Sequence, residues 1–173
     1  MSDQLLILTV IGDDRPGLVG ELSAAISSHQ GNWLESSMSR LGGKFAGIVK
    51  VAVGANQSTA LQAALAALQG FKVTAEVSVA AAPAKGRHLR LALVGHDRIG
   101  IVREVTQVLA QYGVNVESLD TYTASAPMSA ETLFHAEAEL LAGLDLDSAA
   151  LARALEAISN DLMVDISLDE TLA

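Results

Sequence analysis

The chain has no cysteine, which removes disulfides, thiolate metal sites and cysteine nucleophiles together. Aromatic residues make up only 3% of its 173 positions, so any core must be built from small and branched aliphatics with few bulky anchors. Basic residues are also scarce, 11 against 20 acidic ones, for a net charge of −9. Lys44, Lys50, Lys72 and Lys85 are scattered and form no cluster. Neutralising phosphates supplies most of a nucleic-acid binder's affinity, so direct nucleic-acid binding is not expected. No apolar run approaches the ~20 residues that a membrane helix needs. Met1-Ser2-Asp3-Gln4 lacks the basic start of a signal peptide. A cytoplasmic protein without a membrane segment is the expectation.

What the chain does have is an internal repeat. Gly12-Asp13-Asp14-Arg15-Pro16-Gly17-Leu18-Val19 returns as Gly95-His96-Asp97-Arg98-Ile99-Gly100-Ile101-Val102, 83 positions on. Each copy follows an apolar run and precedes an amphipathic one, the pattern of a strand-to-helix turn used twice. Half the residues are hydrophobic, ample material for two small cores.

In the first half, Leu5 to Ile11 is a continuous apolar run expected to be a strand buried on both faces. Asp13 or Asp14 is placed to cap the next helix, Pro16 suits its first turn, and Leu18, Leu22 and Ile26 mark its apolar face. Gly31 is the expected helix stop. Trp33–Leu41 and Lys44–Val53 flank Gly42-Gly43 as a hairpin, Gln57–Gln69 carries the stripe Leu61, Leu65 and Leu68, and Phe71–Val79 alternates as a strand. The second half repeats this order. Its Gly113 lies 82 positions after Gly31, which implies one residue lost, and the connection Ala124–Glu131 is longer than the first hairpin turn. The fold class is therefore α+β: two tandem ferredoxin-like βαββαβ units, each an antiparallel sheet with helices on one face. The expected domains are 1–82 and 88–173, with a short linker at 83–87. Units of this size leave one sheet face open, so the two are expected to cover each other or to form a dimer.

The unit with Gly-x-Asp-Arg-x-Gly at its first turn resembles the ACT domain, a regulatory module that senses amino acids. Two such units with little else resemble the glycine cleavage system transcriptional repressor family. Further matches are Ala126-Pro127-Met128-Ser129 and Leu133-Phe134-His135-Ala136-Glu137-Ala138. Similar turns occur in ACT domains attached to formyltetrahydrofolate deformylases and nitrogen-sensing uridylyltransferases. The resemblance implies a protein that binds a small amino acid, with glycine as a candidate, and restrains a transcriptional activator by protein contact. It implies a ligand at the turn, against a neighbouring domain, with help from a residue early in the second strand. That points to Asn32 and, one position displaced, Asn115.

The residue chemistry agrees. Backbone N–H groups at a helix N-terminus suit a carboxylate, and Asp13, Asp14 and Asp97 are acceptors for an α-ammonium. The candidate ligand residues are Gly12, Asp13, Asp14, Arg15, Pro16, Gly17, Leu18 and Asn32, with Gly95, His96, Asp97, Arg98, Ile99, Gly100, Ile101 and Asn115. The copies differ at Asp13/His96, Pro16/Ile99 and Gly20/Arg103, so two equal sites are not expected. Plainer roles stand beside these: helix caps for Asp14 and Asp97, close helix–sheet packing for Gly17 and Gly100, and surface positions for Glu21 and Glu104. The four histidines have no metal-ligand spacing, so no metal or cofactor is expected. No nucleophile-and-base motif is present either, and an enzyme is not the expectation. The alternative to a sensor is an ACT interaction module that has lost its ligand and regulates another protein or enzyme of amino-acid metabolism.

Overall fold

The computed structural model describes residues 3–79, 85–127 and 131–168. The chain divides into two compact units, Met1–Ala82 and Pro83–Ala173. The first runs β1 (Asp3–Asp13), α1 (Leu18–Ser28), β2 (Asn32–Leu41), β3 (Lys44–Gly54), α2 (Ala55–Ala66) and β4 (Phe71–Ser78). The second runs β5 (Arg87–His96), α3 (Ile101–Gln111), β6 (Asn115–Ser125), β7 (Thr132–Ala142), α4 (Ser148–Glu156) and β8 (Met163–Leu168). Each unit forms one antiparallel four-stranded sheet, in the orders β2-β3-β1-β4 and β6-β7-β5-β8. These are tandem ferredoxin-like units. Of the expected linker, residues 83 and 84 lie outside the described residues, and Arg87 already opens β5. Met128 and Ser129 of the longer connection also lie outside them.

Alternation along the strands sets each core. In the first unit Leu6, Leu8 and Val10 of β1 and Val49, Val51 and Val53 of β3 meet Leu22 and Ile26 of α1 and Leu61 and Leu65 of α2. The second unit matches it with Leu89, Leu91 and Leu93 against Val105, Leu109, Leu151 and Leu155. The expected burial of β1 on both faces is corrected, because Thr9 is exposed and Ile11 is 42% exposed on the face away from the helices. An antiparallel sheet needs cover on one side only, so an apolar run does not by itself mean two buried faces.

The helix ends differ from the sequence expectation in an informative way. Gly31 is not the left-handed residue after α1; Gln30 is, with φ 57°. The Gln30 N–H donates to Ser27 O and the Gly31 N–H to Ile26 O, a Schellman closure. After α3 the same two bonds run from Gly113 to Ala110 and from Val114 to Leu109, with φ 66° at Gly113. Gln30 and Gly113 are therefore the equivalent pair, and the offset stays at 83 with no residue lost. The strand bulges between Trp33 and Glu35 and between Val116 and Ser118 keep it too. Gly31 is small for another reason: a Cβ there would lie 2.8 Å from Ile26 Cγ2. The expected stripe on α2 is shortened, since that helix ends at Ala66 and Leu68 packs from the turn beyond.

Candidate functional site

The two repeated turns lie at the same place in each unit, where the first strand hands over to the first helix. Gly17 and Gly100 are the N-caps of α1 and α3, with φ of 90° and 92°. Neither helix has a side-chain cap, so capping by Asp13, Asp14 or Asp97 is corrected. The packing reading of the two glycines is also corrected. A Cβ at Gly17 would meet nothing nearer than Glu21 Oε1 at 4.0 Å, so conformation, not space, requires glycine there. Pro16 and Ile99 precede the helices and are exposed, and Ile99 is fully so. Leu18 and Ile101 bury their side chains in the cores, leaving only their backbone to face a ligand. Gly12 and Gly95 are packing glycines: Cβ atoms there would lie 2.5 Å from Gly70 O and 2.7 Å from Leu162 Cδ1.

An arginine staples each turn to its helix. Arg15 Nη1 and Nη2 donate to Glu21 Oε1 and Oε2 at 2.7 and 2.8 Å. Arg98 and Glu104 do the same at 3.0 and 2.5 Å. Glu21 and Glu104 are therefore partners of the motif arginines, a role their sequence position alone did not assign. Each guanidinium holds its carboxylate below the ordinary glutamate range, and each carboxylate raises its arginine. A second link joins each turn to the neighbouring hairpin. The Asp14 N–H donates to Gly43 O and the Asp97 N–H to Thr132 O, both at 3.0 Å.

From here the copies diverge. In the first unit the Asp13 carboxylate takes a hydrogen bond from Lys44, which lowers it, and Asp14 Oδ2 lies 2.6 Å from Arg40 Nε. In the second unit His96 stands in place of Asp13 and faces two carboxylates, Glu131 and Asp161. No ion pair reaches Asp97 among the described residues, because Thr123 occupies the position 83 after Arg40. Lys44, Arg40, Glu131 and Asp161 were missed by sequence reasoning. The pairing of β1 with β3, set by the sheet topology and not by the hairpin, places Lys44 opposite Asp13.

A shallow depression borders the first turn, lined by Asp14, Arg15, Gly17, Leu18, Val19, Gly20 and Phe45. In the second unit an apolar cleft runs beside α3, lined by Val102, Val105, Thr106, Leu109, Val116, Leu119 and neighbours. Asn32 is not brought to the turn of its own unit. It pairs with Ala52 at the far end of β3, whereas Gly12 pairs with Phe45, about 23 Å along the strand at ~3.3 Å per residue. Asn115 has the equivalent place opposite Leu141, so its expected displacement by one position is corrected.

A family model described as an ACT domain matches residues 4–78. The solved structure of an unknown protein from Galdieria sulphuraria is similar over 96% of this chain and 99% of its own, at 32% identity and a TM-score of 0.84. A candidate glycine cleavage system transcriptional repressor is similar over 97% of this chain and 98% of its own, at 18% identity and a TM-score of 0.74, a likeness of fold. No curated protein matches the chain.

Proposed function

The first unit belongs to the ACT domain family and the second repeats its fold, and on that premise we propose that the chain senses a small amino acid and modulates transcription through contact with an activator protein. The observation that carries this reading is the doubled turn. A left-handed glycine opens each helix, and no side chain takes up its first amides. Uncapped amides at the positive end of a helix suit the carboxylate of an amino acid. Carboxylates in the same turn, above all the Asp97 side chain, suit its ammonium. Glycine is the first ligand to try, since the repressor whose fold this chain shares is described by the glycine cleavage system.

A specific observation favours a second reading. In the first unit every charged residue of the turn already has a partner: Asp13 with Lys44, Asp14 with Arg40 and Arg15 with Glu21. A turn satisfied in this way suits an interaction module that needs no small ligand. The test is a thermal-shift screen of the full chain against the common amino acids, followed by calorimetry on any hit. A ligand at 100 times its Kd should stabilise the protein by about 2.7 kcal/mol. A selective response with one site per chain supports sensing at the second turn. No response to any amino acid at millimolar concentration would establish the second reading instead.

A further inference from the structure

We infer that His96 is a proton-operated clamp, which as an imidazolium ties three separate segments of the second unit together and on losing a proton weakens one of those ties. The ring lies between two carboxylates, with Nε2 3.0 Å from Glu131 Oε2 and Nδ1 2.9 Å from Asp161 Oδ2. His96 ends β5, Glu131 precedes β7, and Asp161 lies between α4 and β8. A neutral imidazole carries one N–H and one lone pair, so it can donate to only one of them. The other nitrogen would then set its lone pair against a carboxylate about 3 Å away, the separation of an ordinary hydrogen bond. Both contacts therefore belong to the cation.

A neutral ring keeps one of the two contacts and weakens the other, since its single N–H cannot serve both carboxylates. Asp161 is fixed without the ring, because the His96 backbone N–H donates to its Oδ2 at 2.7 Å and the Ser159 hydroxyl donates to its Oδ1. The charged groups around the ring are Glu131 and Asp161, then Asp97 and Arg98 of its own turn, with Arg98 engaged by Glu104 of α3. Hydrogen bonding to Glu131, and after it the charges of Glu131 and Asp161, hold the imidazolium above the ordinary histidine range. The clamp is thus complete below about pH 6.5, the ordinary histidine value, and is lost as pH rises through the raised one. In the first unit the equivalent pair is Asp13 with Lys44, and no imidazole stands in that turn. Two turns alike in sequence therefore answer differently to pH, and only the second loosens near neutrality. This inference does not rest on amino-acid sensing, and its test uses the free protein.

The experiment is an imidazole and amide NMR titration of the full chain from about pH 5 to 9, with denaturant unfolding across the same range. His96 should titrate above about 6.5, with the Glu131 amide following the same curve. Wild-type stability should fall through that window, and His96→Gln should lose this component. His96→Lys, a cation throughout the range, should keep the low-pH Glu131 shifts at pH 9. A His96 midpoint at or below the ordinary value would overturn the clamp. So would a Glu131 amide that ignores the His96 curve, or an unchanged pH profile in His96→Gln.

Discussion

At the scale of single residues, left-handed backbone decides more than contacts do. Gly17 and Gly100 sit at φ near 90° with open space where a Cβ would go. Alanine at either position should therefore cost about 1–2 kcal/mol by backbone strain alone. In a unit of this size that is a Tm loss of roughly 4–8 °C per kcal/mol, measurable by thermal unfolding. Gln30 holds a left-handed conformation without being glycine, so Gln30→Gly should move Tm the other way, by about 0.5–1 kcal/mol of stability. A loss of Tm in that variant would sink the argument. Asp161 makes a prediction with the opposite pH sense to His96. The Ser159 hydroxyl and the His96 amide lower its carboxyl from the ordinary 3.8 to about 2. Its stabilisation is present above the ordinary value and is lost as pH falls towards about 2. Acid unfolding of Asp161→Asn, followed by circular dichroism, should lack that component.

At the scale of elements, the repeat is kept by geometry where residue types changed. The β2 and β6 bulges, the Schellman closures and the glycine N-caps all hold the same offset of 83. Pairing Gly31 with Gly113 breaks that register, because the left-handed residue that closes α1 is Gln30 and not the glycine after it. Gly31 is instead required by close approach, and so is Gly47 in the middle of β3. A Cβ on Gly47 would lie 2.2 Å from Ser37 O and 2.6 Å from Met38 Cα, both backbone atoms of the neighbouring strand. Gly47→Ala should force β2 off β3 and cost about 1–3 kcal/mol. Denaturant unfolding would show this as a lower midpoint at unchanged slope, and an unaltered midpoint would mean that the strands give way freely.

At the scale of the whole molecule, charge is divided unequally. The first unit holds six acidic and five basic residues, the second fourteen and six, so −8 of the net −9 lies after Ala82. Such a surface repels phosphates and favours basic partners. Gel-shift measurement at ~0.15 M salt should show no retardation of duplex DNA. Retardation at that salt would contradict regulation through protein contact alone. Among the described residues no helix is long and apolar enough to cross a membrane.

The sequence by itself determined the two-unit plan, the order of elements and the location of both turns. These rest on local signals: periodicity of apolar residues, glycines at turns, and a motif written twice. The tertiary structure decided what the turn residues do, because their partners come from far along the chain. Lys44 lies 31 residues from Asp13, and Asp161 lies 65 residues from His96. Strand pairing and the α4–β8 turn bring those groups together, and no short-range spacing encodes them. The same topology holds Asn32 far from the turn of its own unit, although only 15 residues separate it from Gly17, because α1 carries the chain back along the sheet before β2 begins.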